Sequence, residues 1–271
     1  MTILIYQIFY NEETKKKILP KFIPLDNTKN SRPDWYEFWV ILNYLKKNKL
    51  NDHTWYGFLS PKFLLKTGYN SNFILNAIEQ HGHSCDVAIF SPGWDQLSYF
   101  LNPFEQGNVW HPGLMSASQK FIENYGLDVN LSQLVSDTTS SVFSNYIIGK
   151  KNYWIKWKKI AESFFEYCEQ SSELQAKTSY GSKENQIPIK TFIQERFASL
   201  LLSTESFKVL TPNQALSYPI FTKLFPDNKI TRELLQTCDQ MKKEYRNKKD
   251  KKYLDIYWST RKKIAYSGPI F

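Results

Sequence analysis

The sequence of 271 residues lacks the short motifs of several common enzyme classes. It has no Gly-x-x-x-x-Gly-Lys-Ser/Thr loop, no Gly-x-Gly-x-x-Gly turn and no Gly-x-Ser-x-Gly elbow. The first two motifs bind phosphate groups through a glycine-rich turn, and the third presents a nucleophilic serine. Their absence argues against P-loop kinases, dinucleotide-dependent dehydrogenases and common hydrolases.

Cysteine is scarce. Cys85, Cys168 and Cys238 are odd in number and far apart, so they predict neither a disulfide framework nor a metal site. His81 and His83 lie close to Cys85, but the spacing is not that of a zinc site. We therefore predict no metal ligands from these residues, and a reduced, cytosolic compartment.

Long apolar runs are also missing. No stretch approaches the roughly 18 to 20 apolar residues that span a bilayer. The segment MTILIYQIFYNEE has no basic region before its apolar residues, and Glu12 and Glu13 end it, so it predicts a strand and not a signal peptide. A cytoplasmic location is the expectation.

Hydrophobic residues make up 42% of the chain and aromatic residues 16%, which predicts a well-filled core and aromatic-lined clefts. The formal net charge is +9. A positive field concentrates anionic ligands, so nucleotide sugars, lipid phosphates and nucleic acid are all consistent partners.

Alternating strand and helix patterns predict an α/β protein. The stretch 32–63 contains a predicted helix, a turn and a buried aromatic strand. The expected strands are 3–10, 54–59, 85–90 and 142–148, and the expected helices are 34–47, 72–80, 96–101, 116–125, 152–173 and 188–203, with further helix from Thr231. Segments 20–33 and 102–113 are predicted loops, and 170–186 is a predicted linker or mobile lid.

Polar residues follow two of these strands. Lys62 comes after strand 54–59, and Asp95 comes after strand 85–90. Ligands of open α/β sheets bind at the carboxyl ends of strands, so both residues are candidate site residues. Asp95 is either a general base for an acceptor hydroxyl or the N-cap of the next helix.

Other polar residues have a structural alternative of the same kind. Gln7 either satisfies neighbouring backbone or faces a ligand, because a buried amide requires a partner. Glu37 lies among aromatic residues and is either turned to solvent or bonded to a buried group. His111 follows Trp110 in a loop, where it could contact a sugar or simply be packed.

Several segments together resemble the bacterial glycosyltransferase-like proteins of the GT-A fold from capsule and lipopolysaccharide gene clusters. The resembling segments are TILIYQIFY, Phe22-Ile23-Pro24-Leu25, Trp35-Tyr36-Glu37-Phe38-Trp39, the stretch from Asp52 to Lys62, SVFSNYIIGKKNYW and Ile193-Gln194-Glu195-Arg196-Phe197. With a short strand after the last of these segments, the resemblance spans roughly residues 2 to 210. The resemblance implies a mostly parallel, Rossmann-type sheet flanked by helices and a nucleotide-sugar-dependent transferase.

The resemblance also implies roles for particular residues. Arg32 and Arg196 would contact phosphate, although Arg32 could instead cap a surface loop and the Glu195–Arg196 pair could be a surface ion pair. The implied donor-binding residues are Gln7, Arg32, Glu37, Lys62 and Arg196, the acceptor-binding residues are Trp94, His111 and Asn145, and the catalytic residues are Asp95 and Glu195.

The family commonly holds a divalent ion with an Asp-x-Asp pair, and this chain has none. Cationic side chains such as Lys62, Arg32 or Arg196 can in principle stabilise the leaving diphosphate instead. No cofactor is assigned, and magnesium or manganese held by scattered ligands stays open.

The C-terminal region is basic. Seven of the eleven residues from Lys242 to Lys252 are Lys or Arg, with Tyr245 among them and Tyr253, Tyr257 and Trp258 after them, which is typical of a surface for an anionic membrane leaflet. A solvated helix face is the alternative, since Glu244 and Asp250 dilute the charge. We expect a transferase domain over 1–210 and a basic helical extension over 211–271.

The predicted activity is transfer of a sugar from a nucleotide-sugar donor to a hydroxyl of a surface polysaccharide or lipid-linked glycan. It would take place in the cytoplasm, at the inner face of the membrane. Two alternatives are a non-catalytic scaffold of the same fold and a nucleic-acid-binding protein. The chain lacks any nucleic-acid-binding module signature, so nucleic acid is not a predicted partner.

Overall fold

A computed structural model describes residues 1–172, 174, 177–180, 182–212 and 223–269. It has a six-stranded sheet in the order β2-β1-β3-β5-β4-β8 and a separate two-stranded sheet, β6-β7. The strands are β1 (Thr2–Phe9), β2 (Ile23–Asp26), β3 (Thr54–Leu59), β4 (Val87–Ile89), β5 (Ile147–Lys150), β6 (Lys177–Tyr180), β7 (Ser182–Pro188) and β8 (Val209–Leu210).

The described helices surround this sheet. They are α1 (Glu12–Lys15), α2 (Tyr36–Lys47), α3 (Phe63–Thr67), α4 (Ser71–His81), α5 (Trp94–Tyr99), α6 (Pro103–Trp110), α7 (Leu114–Asn124), α8 (Lys151–Gln170), α9 (Ile189–Gln194), α10 (Phe197–Thr204), α11 (Lys229–Lys248) and α12 (Lys252–Arg261), with 3-10 turns at Pro33–Trp35 and Gly82–Ser84.

The large sheet is mostly parallel. Strand β1 pairs in parallel with β2 and β3, and β4 pairs in parallel with β8. Only β5 runs the other way, between β3 and β4. The start of β5 therefore lies at the same edge as the ends of the parallel strands. The predicted fold class, a mostly parallel sheet flanked by helices with a helical C-terminal part, is confirmed.

Helices cover both faces of the sheet, as the apolar strands require. Side chains of β3 alternate between the faces: Tyr56 and Phe58 join a core with α2, α7, α8, α9 and α10, whereas Trp55 and Leu59 join a core with α3 and α4. All six residues of β3 are buried, as predicted for a central strand. A third cluster packs α5 against α11 and α12.

Several predicted element types or boundaries were wrong. The predicted loop 20–33 contains β2, an edge strand that tolerates Pro24 because one side of its backbone needs no partner. The predicted loop 102–113 contains α6, which Asn102 caps and Pro103 begins. The predicted strand 142–148 begins only at Ile147.

The predicted linker or lid at 170–186 contains most of the antiparallel β6–β7 pair. Residues 173, 175–176 and 181 of that segment lie outside the described residues. The pairing was missed because a polar composition does not reveal which of two short segments will pair with each other. Among the helices that the structure describes, none combines the length and apolar character that a membrane crossing requires.

Candidate functional site

The carboxyl edge of the sheet brings together side chains that are far apart in the sequence. Ser60 follows β3, and Tyr146 immediately precedes the antiparallel strand β5. Their hydroxyl groups are hydrogen-bonded at 2.9 Å. The Ser60 hydroxyl also accepts a hydrogen bond from the backbone N–H of Lys62 at 3.2 Å, which fixes the start of the turn carrying that lysine.

Gln7 lies in β1 next to this edge and is completely buried. Its amide group donates to the carbonyl of Ser60 at 3.2 Å, and its carbonyl accepts from the backbone N–H of Leu19 at 2.7 Å. Both polar ends of the side chain are therefore used within the protein. This geometry favours the structural alternative for Gln7, that of holding the end of β3 in place.

Four charged residues near this edge act on one another electrostatically, and we call them the charged crevice: Glu37, Lys62, Lys66 and Glu195. Glu37 lies in the first turn of α2, and Glu195 lies between α9 and α10. Lys62 and Lys66 belong to the turn and short helix after β3. Lys62 is exposed, and the side chains of the other three are half-buried.

The electrostatics of the charged crevice centre on Glu37. Burial of its carboxyl group and the nearby charge of Glu195 raise the pKa of Glu37 to about 7, and Lys66 and Lys62 act in the opposite direction. Burial likewise raises the pKa of Glu195, opposed by Arg196 and Lys66. A carboxyl group with a pKa near neutrality can exchange a proton at physiological pH.

The acidic groups of the crevice have no protein partner among the described residues. The carboxyl groups of Glu37 and Glu195 make no hydrogen bond or ion pair with a described residue. The same is true of the ammonium group of Lys62. Lys66 donates to the hydroxyl of Ser144 at 3.0 Å. Burial of unpaired charge is costly, so a group of this kind is a candidate ligand site.

Two tyrosines, one buried and one exposed, are affected by the same charges. Burial, followed by Glu37 and Glu195, raises the pKa of Tyr146, whereas its bond to Ser60 lowers it. Burial and then Glu37 raise the pKa of Tyr10. Both hydroxyls are therefore kept protonated and remain hydrogen-bond donors.

Unusual backbone conformations flank the crevice. Tyr36, which precedes Glu37, has φ 49° and ψ −130°, and Ser144 and Asn145 have φ values of 57° and 55°. Asn30 donates its amide N–H to the carbonyl of Tyr36 at 3.1 Å. The side-chain oxygen of Asn145 is buried without a hydrogen-bond partner among the described residues. Strained backbone and unsatisfied polar atoms tend to cluster at functional sites.

Arg32 lies outside this group. Its guanidinium binds Asp34 at 2.9 Å and Glu169 at 2.8 Å, and it packs over the ring of Phe165. Asp34 in turn pairs with the buried ammonium group of Lys190 at 2.6 Å. These bonds occupy the Arg32 guanidinium and favour a structural role over the predicted phosphate contact.

Arg196 is almost completely buried and is also occupied. Its guanidinium donates to the carbonyls of Pro103 and Phe192 and to the side-chain oxygen of Gln106. It packs so closely on α6 that a Cβ atom at Gly107 would overlap it. Arg196 therefore ties α9 to α6 directly beside Glu195, which favours a positioning role over the predicted phosphate contact.

The remaining predicted residues lie elsewhere. Asp95 is fully buried in the first turn of α5, and Trp94 beside it is almost fully buried. The ring of His111 stacks on Phe192 with centroids 3.6 Å apart. None of these three appears among the residues whose charge acts on Glu37.

Reasoning from the sequence missed Lys66 and Tyr146. Lys66 had a signal, because it lies four residues after Lys62 and a short helix there would place both on one face. Tyr146 had none, since its contact with Ser60 depends on the pairing of β5 with β3. In the part of the chain that the structure describes, no three His, Cys, Asp or Glu side chains form a group that could hold a metal ion.

Comparison with known proteins gives one structural similarity. No family model and no curated protein sequence matches the chain. The solved apo structure of WbbM, a bifunctional glycosyltransferase, is similar over 78% of this chain, with 13% sequence identity and a TM-score of 0.48. The chain covers 44% of that structure, less than half of its length. At this identity, the charged crevice has to be interpreted from its own residues.

Proposed function

We propose that the protein is a glycosyltransferase that moves a sugar from a nucleotide-sugar donor to a hydroxyl group of a glycan. The observation that supports it most is the charged crevice, where two carboxyl groups and two ammonium groups meet at the carboxyl edge of a mostly parallel sheet. Such an edge is the usual ligand position in this class of sheet. A surface polysaccharide or a lipid-linked glycan is the proposed acceptor.

The lysines supply the charge that a departing diphosphate requires. Lys62 has no ion-pair partner among the described residues, and Lys66 keeps two of its three N–H groups after bonding Ser144. Cations fixed beside the diphosphate stabilise the negative charge that develops on it as the sugar leaves. We assign donor binding to Lys62 and Lys66, with Glu37 hydrogen-bonding the donor sugar.

Glu195 is the proposed general base. Its carboxylate accepts the proton of the acceptor hydroxyl, the hydroxyl oxygen forms a bond to the anomeric carbon, and the bond from that carbon to the phosphate oxygen breaks. The diphosphate leaves with the bonding electron pair. We prefer Glu195 to Asp95 for this role because Asp95 is fully buried, whereas Glu195 is half-buried.

The proposal is tested by incubating the protein with a panel of nucleoside-diphosphate sugars and measuring release of the nucleoside diphosphate. Reactions are run with and without manganese, because carboxylates such as Glu37 and Glu195 are ligands that divalent cations accept. Glu195→Gln should reduce turnover by a factor of about 100 or more. Glu79→Gln, an exposed residue of α4, is the matched control. Turnover of no donor, or full activity in Glu195→Gln, would refute the proposal.

A further inference from the structure

A second recess lies beside the charged crevice. A cavity of about 660 Å³ is lined by residues of α5 and α11 beside the contact between these helices, and it reaches Ser91, just past the end of β4. The hydroxyl of Ser91 accepts a hydrogen bond from the backbone N–H of Phe143 at 2.7 Å. Phe143 precedes Ser144, the partner of Lys66, so one short loop borders both recesses.

The wall of this cavity is rich in uncharged hydrogen-bonding groups. Hydroxyl and amide side chains project from α5, from the loop before β5 and from α11, over a floor that contains Trp94 and Leu97. The uncharged polar members are Ser91, Ser98, Thr138, Thr211, Gln236, Thr237 and Gln240. The amide of Gln236 makes no hydrogen bond with a described residue, so it is available to a ligand.

The charged side chains of the cavity wall already form ion pairs or hydrogen bonds within the protein. Asp239 accepts hydrogen bonds from the backbone and hydroxyl of Thr138 at 2.8 and 2.7 Å, and its carboxylate pairs with Lys243 at 2.7 Å. Glu233 lies within 3.8 Å of Lys229. The cavity therefore offers no spare cation from the described residues, which sets it apart from the crevice and makes it unsuitable for a phosphate.

We propose that this cavity binds a neutral oligosaccharide, the acceptor of the proposed transfer reaction. The inference rests on the proposed function and adds the ligand class and its location. Hydroxyl and amide groups over an apolar floor match the alternating hydroxyl and C–H surfaces of a sugar, and the volume is in the usual range for small-ligand pockets. Helix α11 then forms the outer wall of the acceptor site.

The acceptor has to pass one loop to reach the charged crevice. The loop Phe143–Asn145 separates the cavity from the charged crevice, and the buried oxygen of Asn145 has no partner among the described residues.

Binding to an array of oligosaccharides tests the inference without any turnover. The full chain is applied to neutral oligosaccharides and, as a second set, to sulfated and sialylated ones. Thr237→Trp should fill the cavity from an exposed position on α11, and Gln236→Ala removes an available amide. Gln80→Ala, on the exposed side of α4, is the control.

The wild type and Gln80→Ala should bind neutral oligosaccharides, and Thr237→Trp should lower that signal tenfold or more, with a smaller loss in Gln236→Ala. Equal signals in the wild type and Thr237→Trp would overturn the inference, as would binding of only anionic oligosaccharides or of none. Circular dichroism of Thr237→Trp verifies that it is folded. A failure of the proposed function can be distinguished from a failure of this inference. In that case the protein would bind neutral oligosaccharides but release no nucleoside diphosphate from any donor.

Discussion

Glu195 raises the pKa of Glu37, although the two residues belong to segments at opposite ends of the sheet-forming part of the chain. Burial is the larger cause, and Lys62 and Lys66 offset part of it. The fold thus keeps two unpaired carboxyl groups in one partly desolvated space, at a cost in stability. That cost is expected where the groups serve a ligand, because a site optimised for binding is seldom optimised for folding.

Glu37→Gln should change the pH dependence of stability. The folded pKa of Glu37 is about 7, above the ordinary value of 4.5, so between these pH values the folded protein holds a proton that the unfolded chain has lost. The free energy of unfolding of the wild type therefore falls as the pH rises from about 4.5 through 7.

Glutamine removes that loss. The free energy of unfolding of the variant, minus that of the wild type, should be about 1 to 3 kcal/mol larger at pH 8 than at pH 4. Urea unfolding at both pH values measures this difference. Glu79→Gln serves as the control and should show no such gain. A wild-type-to-variant difference that is the same at pH 4 and pH 8 would show that the Glu37 pKa is not raised.

Tyr36→Gly should stabilise the protein. Tyr36 is exposed and has φ 49° and ψ −130°, a conformation that costs a residue with a Cβ atom of order 1–3 kcal/mol. Glycine relieves this strain but gives the unfolded chain more freedom, so the expected net gain is about 1 kcal/mol in chemical unfolding.

Lys249→Gly is the comparison for Tyr36→Gly. Lys249 also has a positive φ, 55°, but with ψ 22° it lies in the ordinary left-handed region at the end of α11. Its gain in the free energy of unfolding should be smaller than that of Tyr36→Gly, because the left-handed region costs a residue with a Cβ atom less than the conformation of Tyr36 does. If Tyr36→Gly unfolds more easily than the wild type, the backbone at Tyr36 is not strained.

The contact between Gly107 and Arg196 predicts a strong coupling. Gly107→Ala should cost about 1 to 3 kcal/mol of folding free energy, because the new methyl group would overlap the buried guanidinium. In an Arg196→Ala background the same change should become favourable, since alanine is the better helix former.

A double-mutant cycle on unfolding free energies measures this coupling. Equal effects of Gly107→Ala in both backgrounds would show that Arg196 does not pack on α6. The activity of Gly107→Ala should also decline, because Arg196 holds the chain next to Glu195.

Arg32→Gln should reduce stability and leave ligand binding unchanged. The substitution breaks the pairs with Asp34 and Glu169, which are partly exposed, so about 1 kcal/mol is expected. Nucleoside-diphosphate affinity, measured by calorimetry, should equal that of the wild type. A tenfold loss of affinity with unchanged stability would instead restore the phosphate-binding role predicted from the sequence.

Strands with strong local signals were predictable. The aromatic run of β3 and the apolar run of β1 each dictate a central buried strand, and the structure contains both. Strand β2 was missed because Pro24 and its half-buried pattern look like a loop until β1 provides a pairing partner. Helix α6 was missed although its Asn102-Pro103 start is a recognisable helix signal.

The candidate site was less predictable than the fold. Glu37, Glu195 and Lys62 were named from the sequence, and the structure brings them together. Glu195 was expected inside one long helix over 188–203, but the chain breaks between α9 and α10, and that break places its carboxyl group in the crevice. Arg32 and Arg196 were plausible phosphate ligands by residue type alone, since their partners Glu169, Pro103 and Gln106 are distant in sequence.

Calorimetric titration of the wild type, Lys62→Met and Lys66→Met with nucleoside diphosphates tests the central claim most directly. Lys262→Met, which removes an exposed cation near the C-terminal helix, is the matched control. We expect one nucleoside diphosphate to bind the wild type and the control equally, and each crevice variant to bind at least tenfold more weakly. Equal binding by all four proteins, or binding by none, would contradict the assignment of the charged crevice as a diphosphate site.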